Sequence, residues 1–405
     1  MRIAVIGAGA SGLFVAGLLA QEHEVVVFDK NEKVGKKLYI TGKGRCNITN
    51  LTETEEFLKN VVRGEKFLRS SLSAFSSYDC VDFFEGLGLK TKVERGNRVF
   101  PQSDKSSDVI KVLKERHCKN VEFLLDNEVF SVEKQEESLQ ENSKFVVKSR
   151  LGQFEFDKVI VATGGVSYKA TGSDGSGYKI AKKFGHFVEP LVPALCALKI
   201  SDWFVGLLQG VSLKNVELKV DSDGKKKGFF GEMLFTDEGI SGPIVLTASS
   251  FINRAQNVEV AIDFKPALSN EQLDLRLLRD FEENRNKEIK SVVRGLLPKA
   301  VAEVFVKVVG LDENQKVNSI TKQERLNIVN NLKNFKLSYG GLYDINSAII
   351  TSGGVSLKEI NPKTFESKLQ SGLYFVGEVL DVDALTGGFN LQIAWATAFS
   401  CARNI

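Results

Sequence analysis

The first 29 residues alternate between apolar runs and one glycine-rich turn. Arg2–Ile6 and Glu24–Phe28 are apolar runs of strand length, and residues 13–21 are apolar over a helical length. The turn Gly-Ala-Gly-Ala-Ser-Gly occupies residues 7–12, and Asp29 follows the second strand. This order of strand, glycine turn, helix, strand and acid predicts a Rossmann βαβ unit that binds the ADP part of a dinucleotide.

Each glycine of the turn has a distinct physical role in such a unit. Gly7 permits the tight turn, Gly9 lets backbone N–H groups approach a pyrophosphate, and Gly12 lets the helix pack closely on the strand. The N-terminus of the helix then presents its partial positive charge to the phosphates. Asp29 accepts hydrogen bonds from a ribose and repels a 2′-phosphate. We therefore expect an ADP-containing cofactor at this turn.

The periodicity after the second strand alternates between helices and strands. Helical spacing covers residues 53–89 and 106–117, and an apolar strand over 158–162 ends at Thr163, Gly164 and Gly165. Glycines at the end of a strand let a ligand approach the backbone. Four further segments have strand patterns, and the last three of them can form a small meander: 121–125, 128–132, Phe145–Ser149 and 153–156.

The change of pattern along the chain predicts one discontinuous domain with two insertions. Residues 1–190 and 339–405 form the expected nucleotide-binding domain, because the C-terminal segment returns to glycine-rich strands and ends in an apolar helix. Residues 191–265 alternate and are rich in turns, which predicts a β domain. Residues 266–338 have helical periodicity. The predicted fold class is α/β.

Composition narrows the class of protein without changing this outline. The 405 residues are 43% hydrophobic and 26% charged, which is typical of a globular protein with more than one domain. The apolar runs are too short to cross a bilayer and no signal peptide precedes the first strand, so we expect a cytoplasmic protein without a membrane partner. Five scattered cysteines predict reduced thiols and no metal site. The net charge of +3 does not by itself require a nucleic-acid partner.

The C-terminal glycine-rich segment indicates a flavin rather than a simple nicotinamide cofactor. A buried strand over 372–377 leads into Glu378, and Gly388, Asn390 and Leu391 precede or begin the last helix. An acid after this strand can hold the ribityl or phosphate part of FAD. The N-terminus of the next helix can stabilise the negative charge that develops near N1 and C2=O of the isoalloxazine on reduction. We expect Glu378 to have the first role, and the backbone of Gly388, Asn390 and Leu391 to have the second.

A third glycine-rich segment, residues 39–50, carries part of a cluster of cations. Between residues 30 and 50, six lysines and arginines stand against one glutamate. This cluster is suited to cofactor phosphates, to an anionic substrate, or to water as a solvated surface. Lys43 and Arg45 are the predicted substrate-binding residues, and Arg45 offers a planar fork to a phosphate or carbonyl oxygen. Cys46 lies beside these cations, which would lower the pKa of its thiol; it is either a reactive acid or a small packing residue.

Five ordered motifs carry a resemblance to a known family. They are GAGASGL at 7–13, TGKGRCNITN at 41–50, ATGGVSYKATGSDGSGY at 162–178, GEMLFTDEGISGP at 231–243 and GLYFVGEVLDVDALTGGFNLQIA at 372–394. With them the chain resembles the BaiN/RdsA (YhiN-type) family of FAD-dependent flavoproteins over essentially its whole length. The resemblance implies a glutathione-reductase-like FAD-binding Rossmann domain with an inserted β-barrel domain and a helical subdomain. The chain departs from the family pattern at Lys43, where a glycine is common, and at Asp237, where many members have a histidine that would otherwise be a candidate proton donor.

The same resemblance places the FAD contacts on particular residues. Those expected around the ADP part are Gly7, Ala8, Gly9, Ala10, Ser11, Gly12, Asp29 and Lys30, with Arg45, Asn47 and the backbone of Val129 as further candidates. Those expected on the flavin side are Thr163, Gly164, Glu378, Gly388, Asn390, Leu391 and Gln392. His23, His117 and His186 lie outside the motif positions that carry these contacts, and we expect them to be structural or on the surface.

The resemblance implies an NAD(P)H-linked oxidoreductase, and three functions stand as hypotheses. The first is reduction of an activated C=C bond, with uridine in 23S ribosomal RNA as the substrate; hydride would reach C6, and an acid, for which Cys46 is the candidate, would protonate C5 to give dihydrouridine. The second is reduction or oxidation of a small molecule such as an enone, a steroid-like acid or an aminoketone. The third is a non-catalytic flavin-binding protein. No second dinucleotide turn follows a strand, so we expect NAD(P)H to dock transiently at the flavin, and the sequence leaves the oligomeric state open.

Overall fold

The computed structural model describes residues 1–135 and 144–405 of the chain. Contacts between residues group them into two units, Met1–Pro193 with Ile345–Ile405, and Ala194–Asp344. The first unit therefore combines both ends of the chain, and the second unit is inserted between them. Among the described residues, none of the helices has both the length and the apolar character that a membrane crossing requires.

The strands and helices are numbered separately in chain order. The strands are β1 (Arg2–Ile6), β2 (Glu24–Phe28), β3 (Thr49–Asn50), β4 (Val61–Arg63), β5 (Thr91–Glu94), β6 (Arg98–Pro101), β7 (Glu122–Leu124), β8 (Val129–Lys134), β9 (Phe145–Ser149), β10 (Gly152–Phe156), β11 (Lys158–Val161), β12 (Val192–Ala194), β13 (Leu198–Ile200), β14 (Ser212–Ser222), β15 (Lys225–Phe235), β16 (Gly239–Ser241), β17 (Val258–Asp263), β18 (Phe335–Leu337), β19 (Tyr339–Leu342), β20 (Ile350–Ser352), β21 (Leu373–Phe375) and β22 (Asp383–Ala384). The α-helices are α1 (Ala10–Leu19), α2 (Lys36–Gly44), α3 (Thr54–Leu58), α4 (Glu65–Ala74), α5 (Ser77–Gly86), α6 (Ser106–Val112), α7 (Ser176–Lys183), α8 (Pro243–Ile252), α9 (Asn270–Glu283), α10 (Ile289–Val293), α11 (Lys299–Val308), α12 (Lys322–Lys333) and α13 (Phe389–Ala402).

A parallel sheet of strand order β21-β11-β1-β2-β7 forms the centre of the first unit. Its inner strands are apolar runs rather than alternating patterns, because both faces of a parallel sheet are covered. In register, Ile6 at the end of β1 lies between Phe28 and Val161. The carboxyl ends of these strands meet at one edge, which is where ligands bind in open α/β sheets.

Several predicted elements are confirmed by the structure. The bounds predicted for β1 and β2 are those observed, and the predicted meander is the antiparallel sheet β10-β9-β8. The last helix was predicted over residues 391–401, and the observed helix α13 begins two residues earlier, at Phe389.

The helical spacing over residues 53–89 was only partly a correct prediction. It contains α3, α4 and α5, but β4 interrupts them. Strand β4 pairs antiparallel with β22, a partner more than three hundred residues away in the chain. Gly64 follows with a φ of 83°, a conformation that favours glycine and separates the strand from the next helix.

The second unit contains a seven-stranded sheet of order β18-β17-β14-β15-β16-β13-β19. Strands β14 and β15 form a hairpin whose turn residues Asp223 and Gly224 have φ values of 51° and 85°, as a two-residue type I′ turn requires. Ser338 alone separates the two edge strands β18 and β19 along the chain. Side chains from this sheet and from α8–α12 share one hydrophobic core. The predicted barrel and separate helical subdomain stay predictions.

Helices α1 and α13 cross the core of the first unit and are buried on almost every side. Neither helix has a polar stripe, because each packs against the sheet or other helices all round. The Trp395 ring of α13 lies 5.5 Å from the rings of both Phe14 and Phe84. The indole N–H of Trp395 donates to the carbonyl of Ile48 at 3.0 Å, so even this polar group is satisfied in the interior.

Candidate functional site

The three glycines of the first turn have different surroundings. Gly7 has a φ of 106°, and a Cβ there would lie 2.6 Å from the carbonyl oxygen of Ala162. A Cβ on Gly12 would overlap the carbonyl group of Gly7. At Gly9, a Cβ would meet no described atom within 4 Å. Gly7 and Gly12 are therefore fixed by internal packing, while Gly9 faces open space in which a ligand can approach the backbone.

Asp29 organises this turn from the end of β2. One carboxylate oxygen accepts the backbone N–H of Ala8 at 2.8 Å, and the other accepts the backbone N–H and side-chain amide of Asn31 at 2.8 and 2.9 Å. An ionised carboxylate has about four acceptor positions, so the group can also accept from a ribose hydroxyl. Asp29 thus holds the glycine turn and remains suited to its predicted contact.

The segment before α7 contacts the residues that follow β2. Lys30 forms an ion pair with Asp174 at 2.5 Å, and the side chain of Asn31 donates to the carbonyl of Thr171 at 3.1 Å. Asp174 in turn accepts the N–H of Ser176 in the first turn of α7. Lys30 lies next to Asp29 in the chain, at the expected position for the ADP part, but its ammonium group is already paired with Asp174.

Glu378 follows β21 in the short helical turn Gly377–Val379. Its carboxylate accepts Lys37 Nζ at 2.7 and 3.0 Å and the backbone N–H of Thr351 at 3.0 Å. Lys37 also donates to the hydroxyl of Ser167 at 2.7 Å. Gly164 lies nearby, because a Cβ there would be 3.6 Å from the Glu378 carboxylate. The residues after three strands of the first unit therefore meet at one carboxylate.

The N-terminus of α13 begins at Gly388, which has a φ of 100° and supplies no side-chain cap. The N–H groups of the first helical turn have no acceptor within the helix, so they are available to a negatively charged or carbonyl group. The Asn390 side chain accepts the N–H of Ala384 at 3.0 Å and donates to its carbonyl at 2.8 Å. Its role in the structure is to hold the preceding loop, and Leu391 is half-buried beside it.

The prediction of a cofactor contact from Gln392 is wrong for its side chain. Gln392 has no exposed surface, its amide oxygen accepts the hydroxyl of Thr49 at 2.7 Å, and its amide N–H donates to the carbonyl of Phe75 at 2.8 Å. Gln392 lies on a buried face of α13, so its side chain points into the interior, where Thr49 and Phe75 supply its hydrogen-bond partners.

Two buried polar atoms at predicted cofactor contacts are unsatisfied within the described residues. They are Oδ1 of Asn47 and Oγ1 of Thr163. Buried polar atoms in proteins are nearly always hydrogen-bonded, and each of these two oxygens retains an acceptor position for a bound group. With the open side of Gly9 and the uncapped start of α13, these atoms fit a cofactor that has phosphates at one end and a polar ring at the other, as FAD has.

The predicted phosphate fork of Arg45 is already occupied. Its guanidinium pairs with Glu94 and donates to Asp104 at 2.7 Å, and it lies over the ring of Phe100 at 4.1 Å from the centroid. These carboxylates hold the arginine pKa above its ordinary value. Arg45 therefore anchors the 41–50 segment to β5 and β6, and a phosphate would have to replace a carboxylate to reach it.

The prediction that neighbouring cations lower the pKa of the Cys46 thiol is wrong. Cys46 has no exposed surface, and burial raises its pKa to about 12. The cations do not act on it because Arg45 is paired with carboxylates and Lys43 is exposed. The proposed acid role is corrected accordingly: a substrate has no surface on which to touch this sulphur. Cys46 is a small packing residue.

Two further predicted positions are Lys43 and Val129. Lys43 is exposed in a left-handed conformation with a φ of 59°, next to Gly42 and Gly44. Val129 begins β8, the edge strand of its sheet, with its side chain buried.

The three histidines have structural surroundings. His117 Nε2 lies 2.9 Å from the carbonyl of Phe14, and burial lowers its pKa. His186 contacts Glu359 at 3.1 Å and the hydroxyl of Ser367 at 2.7 Å, and burial again lowers the pKa. His23 is half-buried in the turn between α1 and β2.

Comparison with known proteins identifies the family. Residues 1–404 match the family described as HI0933-like protein Rossmann domain. The chain belongs to the HI0933-like family. It is 32% identical to a ribosomal RNA dihydrouridine synthase of Haemophilus influenzae, over 99% of this chain and 97% of that protein. It is 31% identical to a 3-dehydro-bile acid delta(4,6)-reductase of Clostridium scindens, over 99% and 98%.

Solved structures support the fold of this HI0933-like protein. A 3-ketosteroid-delta4-(5alpha)-dehydrogenase from Rhodococcus jostii RHA1 superposes with a TM-score of 0.50 at 13% identity, over 99% of this chain and 96% of that one. The HI0933-like chain thus has a Rossmann-type FAD-binding α/β fold and is an FAD-dependent oxidoreductase.

Sequence reasoning did not single out Lys37, Ser167 and Thr351. Lys37 was one of six cations in a cluster, and nothing local distinguishes it from Lys36. Ser167 follows β11 and two glycines, which is the signal that placed Glu378, so applying that rule to β11 would have found it. Thr351 lies within β20 and contacts Glu378 through its backbone N–H, which no residue type indicates.

Proposed function

We propose that this protein uses NAD(P)H as electron donor and reduces the C5=C6 bond of a uridine in ribosomal RNA. The observation that carries the proposal is the 32% identity over 99% of the chain to the dihydrouridine synthase of Haemophilus influenzae. When bound, FAD supplies hydride chemistry. The chain's own residues have to bind and orient that cofactor and admit the RNA.

We assign the cofactor contacts to two groups of residues in the first unit. The glycine turn and Asp29 suit the ADP part, because the backbone at Gly9 is open and the carboxylate retains one free acceptor position. Asn47, Thr163, Glu378 and the start of α13 suit the flavin part. Asn47 and Thr163 each offer a buried oxygen that lacks a protein partner in the described chain. The inserted unit is proposed to be the predicted barrel with helices at its side.

An exposed surface on α2 supports RNA as the substrate. Tyr39 is 57% exposed, and Ile40 and Lys43 are exposed on the same segment. An exposed aromatic ring and an exposed cation on one segment suit an unpaired nucleotide, because bases stack on aromatic rings and phosphates attract lysine. The surface adjoins Asn47, so RNA held here would lie next to the proposed flavin side.

The test is to incubate the purified FAD-loaded protein with NADPH and ribosomal RNA that lacks dihydrouridine, and to measure the gain of two hydrogens per uridine by mass spectrometry. Product is expected only when NADPH is present. Flavin that is reduced by NADPH while the RNA stays unmodified would contradict the RNA assignment.

A matched pair of variants tests the RNA surface. Lys43→Gln is expected to raise KM for RNA and to weaken its salt dependence, because one phosphate contact is lost. Lys363→Gln removes another exposed lysine of the first unit and is expected to leave KM unchanged. Equal KM values for both variants would remove Lys43 from the substrate site.

A small conjugated ketone is the second candidate substrate, because the 31% identity to the bile-acid reductase covers as much of the chain. The same protein preparation is therefore assayed with an unsaturated 3-dehydro-bile acid. Reduction of this compound with no reaction on RNA would favour the second candidate.

A further inference from the structure

Lys37 and Glu378 form an ion pair that joins distant parts of the chain. Lys37 comes from α2, which follows β2, and Glu378 follows β21 near the C-terminus. The two side chains are 20% and 22% exposed, so the pair is mostly buried. Lys37 Nζ donates to both carboxylate oxygens and to Ser167, which accounts for all three of its N–H bonds.

This pair lies beside the phosphate-binding turn. A Cβ on Gly377, the residue before Glu378, would lie 2.5 Å from the hydroxyl oxygen of Ser11. Ser11 is in the first turn of α1, where the helix N-terminus faces the expected pyrophosphate. The backbone at Gly164 also lies against the carboxylate. Glu378 therefore brings a negative charge close to the place where FAD carries two more.

We propose that Lys37 is a positioning residue that makes Glu378 compatible with FAD. It cancels the charge of the carboxylate beside the cofactor phosphates, and it fixes the carboxylate so that a free acceptor position meets a hydroxyl of the ribityl chain. This inference rests on the FAD site proposed above.

The physical reason is electrostatic. A carboxylate that loses its counter-ion in a partly buried position repels nearby phosphates, because the interior screens charge less than water does. The backbone N–H of Thr351 and the hydroxyl of Ser167, which lies 3.4 Å from the carboxylate, would remain as donors, but neither carries a net charge. Lys36, the preceding residue, provides the contrast: it pairs with Glu32 at 2.7 Å, and the Glu32 side chain is 52% exposed.

The experiment measures the dissociation constant of FAD from the apoprotein by quenching of flavin fluorescence. Lys37→Met is expected to weaken binding about tenfold or more, or about 1.4 kcal/mol. Lys36→Met removes the same charge from the same helix and is expected to change nothing. In the double variant Lys37→Met/Glu378→Gln the repulsion is absent, and most of the lost affinity is expected to return.

The outcomes separate the inference from the site on which it rests. Parent apoprotein that does not bind FAD would remove the proposed site itself. A parent that binds FAD, together with an equally tight Lys37→Met variant, would overturn the role of Lys37 alone. A loss in Lys37→Met that Glu378→Gln does not relieve would also overturn it, because the two residues would then act independently. Circular dichroism checks that each apoprotein is folded, and Lys37→Gln takes the place of Lys37→Met if that variant is not.

Discussion

The three glycines of the first turn have different neighbouring atoms, so each position tolerates an added side chain to a different degree. Spacing in the sequence predicted these positions because the tight turn and the close packing of helix on strand are local features of the βαβ unit. What the structure adds is the distinction between them. Gly12 is in contact with the backbone of Gly7, whereas the space beside Gly9 is open among the described residues.

Gly9→Ala and Gly12→Ala are therefore expected to fail in different ways. A methyl group at Gly9 meets no protein atom, so the apoprotein should unfold at the parent's temperature but bind FAD about tenfold or more weakly. A methyl group at Gly12 overlaps backbone, so stability itself should fall. Thermal unfolding of the two apoproteins and FAD titration measure this. Equal stability in both variants would contradict the steric argument.

Cys46→Ala is expected to keep the reductase activity. The buried thiol has a raised pKa and no surface for a substrate, so its loss should cost about 1–2 kcal/mol of stability through a small cavity and little in kcat. Urea unfolding and the dihydrouridine assay test this. A fall in kcat by orders of magnitude without loss of flavin would restore the acid role.

Partners across the fold could not be predicted from residue types alone. Arg45 was expected to meet phosphate, but Glu94 and Asp104 take up its donors. Both carboxylates come from around β5 and β6, and nothing in the 41–50 segment indicates that these strands lie beside it. Lys37 was not singled out among the six cations, because its partner, Glu378, lies 341 positions away in the chain.

At the scale of elements, a strand or helix was predictable where the burial of its own residues determines their sequence of apolar and polar types. Strands β1 and β2 were predicted at their observed bounds because strands covered on both faces are uniformly apolar. Strand β4 was missed because its conformation depends on pairing with β22, which no local window contains. Helix α13 was predicted as a helix, but the inward direction of Gln392 depends on how the whole element is buried.

Trp395→Phe tests how strongly α13 is held. The change removes the hydrogen bond from the indole to Ile48 and leaves its carbonyl in the interior, so we expect a loss of about 1–3 kcal/mol in the free energy of unfolding. Trp203→Phe is the control, because Trp203 is 64% exposed and should change stability little. Urea unfolding of both variants decides the matter, and equal stabilities would contradict the interior role of the indole.

At the scale of the whole molecule, two buried histidines set the response of stability to pH. The pKa values of His117 and His186 are lowered in the folded protein, mainly by burial. In the unfolded chain they return to about 6.5. Below that pH the unfolded chain binds protons that the folded chain does not, so the free energy of unfolding should fall as pH decreases from about 7 to 5.5.

The measurement is urea unfolding across this pH range, for the parent and for His117→Gln. The carboxylates with lowered pKa values, such as Asp174, act at more acidic pH, because they stay ionised in the folded and unfolded chains throughout this range. The variant is expected to have a flatter dependence than the parent. A parent whose stability does not change between pH 7 and 5.5 would contradict the prediction.

The central sheet has an additional consequence for biosynthesis. Its edge strand β21 consists of Leu373–Phe375, and the helix start proposed to meet the flavin follows at Phe389. A ribosome makes these segments long after the nucleotide turn, so a nascent polypeptide has one half of the proposed binding cleft before it has the other. We therefore expect chains that stop before β21 to be purified without the yellow colour of bound flavin.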